Sequence, residues 1–332
     1  MVQERLAVQD IATRPLRERV GLSIKKEGFV AGYKVKEVID EIKEAEQAGI
    51  HDIWIPQVGS IDTMTVFTAA ALQTQHIRFN LGIVPIFTRH PLVLAQQVFA
   101  FNEIAPGRLR LGIGSSNQIL MGMYGIRIEK PLSYLREYMS VLRTVLETGH
   151  VDYEGHFFQV HYHWLEDRIA DVPLMISALG EKAFETAGEI ADAALPWLAP
   201  LSYLRDKALP ALKKGALSRQ RPAPPIIQSV LVALSEDPQA VQRETLKQLE
   251  VYLPVPYFPR LFAAAGLPIG SDRTGIERLI SELVVQGSVT AVEAQLRQML
   301  AAEAVAELNI TLVPVVDEKR ELAQLQRIIS NL

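Results

Sequence analysis

Five stretches of the chain carry residue types from which a ligand or catalytic site can be built. In Val160-His161-Tyr162-His163-Trp164 two imidazoles alternate, and on a strand they would share one side, as a pair of metal ligands does. No third ligand stands nearby at a suitable spacing, so a surface strand is the better reading and no metal is expected. In Leu111-Gly112-Ile113-Gly114-Ser115-Ser116-Asn117 the glycines resemble the start of a dinucleotide fingerprint, but the third glycine is missing. Two readings stay open: a loop whose Ser115, Ser116 or Asn117 hydrogen-bonds a ligand, or a tight turn. Gly82, in the apolar run before Thr88-Arg89-His90-Pro91, either gives a ligand access to backbone or relieves crowding, with Arg89 and His90 capping a helix that starts at Pro91. Ser177-Ala178-Leu179-Gly180-Glu181-Lys182 joins a strand to a helix, either as an ordinary short loop or as backbone N–H groups that hold an anion such as phosphate. Gln57 follows a strand with Trp54 in it, and Trp54, Phe87 and Trp197 suit stacking on a planar ring as well as core packing.

What is missing narrows the chemistry further. With no cysteine, thiolate catalysis, disulfides, iron–sulfur clusters and cysteine zinc sites are excluded. At the strand ends no nucleophile stands beside a base and no two carboxylates face each other, which argues against a hydrolase. Gln57 and Asn117 are the only weak catalytic candidates. Lys and Arg number 34 against 38 Asp and Glu, a net charge of −4, so no basic footprint for nucleic acid exists. Residues 1–19 lack the apolar core of a signal peptide and no run is long enough to span a membrane. The expectation is a cytoplasmic protein with a small-molecule substrate, no nucleic-acid or membrane partner, and a homodimeric or higher homo-oligomeric state.

These residues sit on an almost unbroken alternation of apolar runs and amphipathic stretches, the pattern of a parallel sheet wrapped by helices. Strands are predicted at 19–24, 52–56, 76–84, 108–114, 173–178, 193–197, 226–233 and 308–313. Val35, Val38, Ile39, Ile42 and Ala45 recur at helical spacing until Gly49 stops the first helix, and Asp62 and Asp237 read as N-caps. Eight strand–helix units make an α/β fold of the (β/α)₈ TIM-barrel type, in one domain over 1–332 with insertions at about 115–130, 151–172 and 240–290. The stretch 240–307 is read as mostly helical, with an insertion, and as lying outside the barrel wall; Thr290-Ala291-Val292-Glu293 reads as a capping box opening its last helix. In such a barrel the C-terminal strand ends carry function, which is where the candidate residues fall.

In this order the pieces resemble the luciferase-like monooxygenase superfamily, and more closely its deazaflavin-dependent branch that includes methylene-tetrahydromethanopterin reductase. The resemblance rests on residues 45–54, 88–91, 106–114, 178–182 and 187–192. It implies an oxidoreductase that moves a hydride with coenzyme F-420, FMN being the alternative cofactor in a monooxygenase of the same fold. A binding protein that has lost catalysis is the alternative from another class. It further implies a cofactor ring backed by a bulge at Gly82 and Ile83 with a cis peptide between them, and contacts from Ser115 and Asn117. The phosphate-bearing tail is implied beside Ala178, Leu179 and Gly180. Relatives that oxidise alcohols or sugar phosphates carry an acidic residue or histidine after strand two and a glutamate after strand four. Gln57 and Asn117 stand there instead, so a reductase is expected rather than an alcohol dehydrogenase.

Overall fold

The structure is a computed structural model that describes residues 8–24, 34–58, 61–163 and 168–332. Residues 1–7 and Trp164 of the sequence reading lie outside the described residues. The strands are β1 (Val20–Ser23), β2 (Asp52–Ile55), β3 (Arg78–Pro85), β4 (Leu109–Gly114), β5 (His150–Glu154), β6 (Gln159–His163), β7 (Leu174–Ser177), β8 (Ala193–Leu195), β9 (Ile227–Ala233), β10 (Val284–Gln286) and β11 (Glu307–Leu312). One sheet runs β10-β9-β11-β1-β2-β3-β4-β7-β8, every pair parallel, and a bridge between Ala194 and Ile226 joins β8 to β9. The ring β1-β2-β3-β4-β7-β8-β9-β11 is a TIM barrel. Every strand predicted for it is present. Buried on both faces, these strands read as apolar runs, with helices such as Val35–Gln47 and Pro91–Ile104 laying apolar stripes on the outside.

The inward positions of the strands include charged groups at the N-terminal end of the barrel. Asp52, Asn80, Arg110 and Glu307 are all buried there. Arg110 forks onto both oxygens of Glu307 at 2.7 and 2.8 Å and reaches Asp52 at 2.8 Å, while Arg78 Nε meets Asp52 at 2.9 Å. Buried charges are tolerable when paired and hydrogen-bonded in this way. Beside this network a small apolar set, Trp54, Met175, Ala193, Leu195 and Ile227, fills the barrel interior, and Ile11 joins it from the short 3-10 helix Val8–Thr13.

Two expectations need correction. The helix Val289–Leu300 is capped by Ser288, whose hydroxyl accepts from the Ala291 N–H at 3.3 Å, so Thr290 lies inside the first turn rather than at the cap. A residue two positions earlier reaches the same free N–H groups, and spacing alone does not choose between two hydroxyls. The stretch 240–307 is not all outside the wall. Because β8 is short and meets β9 only at Ala194–Ile226, the edge of β9 at Leu231–Ala233 would lack partners; β10 pairs there. Phe87 takes the core-packing alternative: it stacks on Tyr134 with centroids 4.4 Å apart, in the layer outside the barrel.

Candidate functional site

A cleft of about 630 Å³ opens at the C-terminal ends of the barrel strands. Its floor is Trp54 on β2, which is 1% exposed. A Cβ on Gly21 would stand 2.6 Å from Trp54 Nε1, so only glycine on β1 leaves room for the indole. Beneath the ring lies the Arg110 guanidinium, 5.1 Å from its centroid, so the floor rests on the buried ion network through a cation–π contact.

One wall comes from β3, β4 and β7. The ladder between β3 and β4 shifts register between Leu81 and Val84, the Gly82–Ile83 peptide is cis, and both residues are half-buried and line the cleft. The Ile83 carbonyl accepts from the Gln57 N–H at 3.1 Å. Next to it, Ser116 sits in the left-handed region at φ 59 and lines the cleft with Asn117, whose Oδ1 caps the helix Gln118–Met123 by accepting from Leu120 N–H at 2.9 Å. Ser177 and Leu179 complete this wall.

The opposite side comes from β9, β11 and β1, through Ile227, Ser229, Asn309 and Ser23. A cover of Val251, Tyr252, Val255, Tyr257 and Phe258 follows the helix Pro238–Leu249, and Tyr252 packs on Trp197 with centroids 5.8 Å apart. Burial pushes the Tyr252 phenol up to about 12, so it is neutral at physiological pH. Glu41, Lys247 and Glu318 also line the cleft, but they belong to the surrounding helices rather than to strand ends. Lys247 and Glu318 are exposed, and Lys247 is paired with Glu244 at 2.6 Å.

Of the residues singled out in the sequence, Trp54, Gly82, Ile83, Ser116, Asn117, Leu179 and Trp197 meet at this cleft. Ser115, Ala178, Gly180 and Gln57 do not line it. Ser115 turns its hydroxyl toward the Ser116 carbonyl at 3.5 Å, so of these two serines Ser116 is the one at the cleft. Ala178 is buried and its N–H donates to the Leu195 carbonyl at 3.2 Å, which removes one amide from the expected anion cradle. Gly180 is the N-cap of the helix Glu181–Ile190 with open space around its Cα. Gln57 is a loop brace: its Oε1 accepts from Thr63 N–H at 2.7 Å and its Nε2 donates to the Ile61 carbonyl at 3.3 Å. His161 and His163 lie on the exposed β5–β6 hairpin, His161 between Asp152 and Glu154 at 3.2 and 2.9 Å. Among the described residues no group of three or more metal-ligating side chains is found.

The sequence reading missed Ser229, Asn309 and the 251–258 cover. A signal existed for Asn309: Glu307, Asn309 and Thr311 alternate through an otherwise apolar strand, a spacing that turns all three inward.

Residues 19–306 match the luciferase-like monooxygenase family. Among curated proteins, the 5,10-methylenetetrahydromethanopterin reductase of Methanolobus tindarius is 30% identical over 168 residues, 50% of this chain and 52% of that protein. The chain thus spans about half the length of the curated relatives it matches. Among solved structures, the coenzyme F420-dependent tetrahydromethanopterin reductase of Methanopyrus kandleri superposes with a TM-score of 0.72 at 20% identity, over 94% of this chain and 97% of that one. An F420-dependent secondary alcohol dehydrogenase in complex with an F420-acetone adduct gives a TM-score of 0.77 at 16% identity, over 94% and 98%. No described helix is long and apolar enough to cross a membrane. With the match running through all but the last strand of the barrel and through most of the cleft it carries, the chain belongs to the luciferase-like monooxygenase family.

Proposed function

We propose that the protein is a coenzyme F420-dependent oxidoreductase that reduces a small organic substrate. The observation that carries this reading is the cleft, whose strand ends supply shape and neutral hydrogen-bonding groups but no charged acid or base. Its volume falls within the range of about 300–1,000 Å³ usual for small-molecule sites. The curated F420-dependent relatives supply the cofactor class.

The residues fit a tricyclic ring. The irregular backbone at Gly82 and Ile83 offers one face of the cleft to it, above the flat indole of Trp54. Ser116 and Asn117 stand at its edge. Leu179, Gly180 and the N-terminus of the helix Glu181–Ile190 are the groups that would hold a phosphate tail, because the free N–H groups of a first helical turn favour an anion. The Tyr203 hydroxyl donates to the Leu179 carbonyl at 2.9 Å and fixes that loop. When bound, the deazaflavin supplies a carbon that gives or takes a hydride. The chain's own contribution is orientation and the exclusion of water by the 251–258 cover.

Reduction is favoured over alcohol oxidation because oxidation needs a base for the hydroxyl proton. Gln57 is engaged at both ends and Asn117 caps a helix, so neither serves as one. The protein purified from a host that makes both cofactors should carry F420, identified by absorbance and mass. Copurified FMN would sink the reading in favour of a monooxygenase.

A further inference from the structure

On the ring β1-β2-β3-β4-β7-β8-β9-β11, the strands β3, β4 and β7 stand diametrically opposite β9, β11 and β1. Once a cofactor is assigned to the first three, as proposed above, the groups on the other three face it across the cleft. There, Asn309 is 7% exposed, lines the cleft, and its Oδ1 has no partner among the described residues. An amide oxygen this deep without a hydrogen bond calls for a ligand atom that satisfies it. Its Nδ2 donates to the Ser229 hydroxyl at 3.5 Å, and the β9–β11 register places the two residues side by side. The Ser229 hydroxyl, accepting from Asn309, still has its own proton to give.

Asn309 and Ser229 thus present one acceptor and one donor next to each other. Charge is excluded at this depth. Glu307, the inward residue below Asn309, is held by both terminal nitrogens of Arg110. The cleft-lining charges Glu41, Lys247 and Glu318 stand on the surrounding helices. The rest of the opposite side is Ile227, the Ser23 hydroxyl on β1, and the cover, where the uncharged amide of Gln248 stands beside the aromatics. We propose that Asn309 and Ser229 form the substrate subsite, and that it takes an uncharged amide or lactam on an apolar body. A phosphate or carboxylate has no cation there to meet. This inference rests on the F420 reading for its orientation, and the test below separates the two.

Four six-membered-ring probes, 2-piperidone, cyclohexanone, cyclohexanecarboxylate and cyclohexyl phosphate, are titrated by saturation-transfer NMR against the F420-loaded and the cofactor-free protein. The lactam should bind at least tenfold more tightly than either anion, with cyclohexanone, which lacks a donor, in between. Asn309→Leu should weaken the lactam at least tenfold and Ser229→Ala severalfold. F420 affinity, read by its fluorescence, should stay within twofold in both. Ser229→Ala removes one oxygen and decides the matter if Asn309→Leu does not fold. An anion binding as tightly as the lactam, no probe binding, or lactam affinity unchanged in the folded variants overturns the subsite. A parent protein that binds the lactam through Asn309 but not F420 overturns the cofactor reading and leaves the subsite standing.

Discussion

The Gln57 N–H donates to the Ile83 carbonyl across 3.1 Å, tying the end of β2 to the bulge of β3, while the Gln57 side chain braces the loop toward Thr63. A substitution here removes the brace but not the backbone bond. Gln57→Leu should cost about 1–3 kcal/mol, the sum expected for two side-chain hydrogen bonds, one of them to an N–H left unpaired. Gln57→Glu, although it puts a carboxylate after β2, should gain no alcohol oxidation, because the group that replaces Nε2 then faces the Ile61 carbonyl. Chemical denaturation and an F420 reduction assay with short alcohols check both.

The ion network under Trp54 should dominate acid stability. Burial would raise the Asp52 carboxyl, but the charges of Arg110 and Arg78 outweigh it and hold its pKa well below the usual carboxylate range. In the unfolded chain that carboxyl titrates near about 3.9. Below that value the unfolded state binds the proton first, so the stability Asp52 contributes is full above the unfolded value and is lost as pH falls toward the folded one. Denaturation midpoints should fall steeply below about pH 4 in the parent and less steeply in Asp52→Asn. Arg110→Met, which strands the buried Glu307 carboxylate and leaves Asp52 with Arg78 alone as its cation, should cost about 3–5 kcal/mol at neutral pH.

Gly21→Ala tests the floor. The new Cβ would press on Trp54 Nε1 at 2.6 Å and force the indole toward the cleft. Overpacking of this kind costs about 1–3 kcal/mol. The readouts are a shift in tryptophan emission and a weaker F420 affinity; unchanged emission would mean that the ring does not hold its place.

The barrel was legible because its strands are buried on both faces and its helices are not, so the apolar rhythm and caps such as Asp62 and Asp237 survive in one dimension. β10 was not, because Val284–Gln286 is three residues long and exists to fill a gap left by β8. At the site, Gly82, Ile83, Asn117 and Leu179 come to the cleft since strand ends converge in any such barrel. Gln57 and Ala178 point away from it because their hydrogen bonds go to Thr63, Ile61 and Leu195, partners that only the folded loops bring within reach and the sequence does not show. The 251–258 cover carries no motif; its aromatics matter only through the cleft beneath them.

At Gly180 nothing lies within 4 Å of an added Cβ and the backbone is extended, so Gly180→Val should cost no more than about 1 kcal/mol, the loss expected where valine replaces glycine at an N-cap. If the helix it caps holds the phosphate tail, the valine should crowd that anion and weaken F420 at least tenfold. Equal affinity in parent and variant would move the tail to another part of the mouth.

Whether this cleft takes a deazaflavin is decided by a side-by-side fluorescence titration of the purified protein with F420 and with FMN. F420 should bind saturably at micromolar or lower concentration, at least tenfold tighter than FMN. FMN binding as tightly as F420, or more tightly, would contradict the deazaflavin reading.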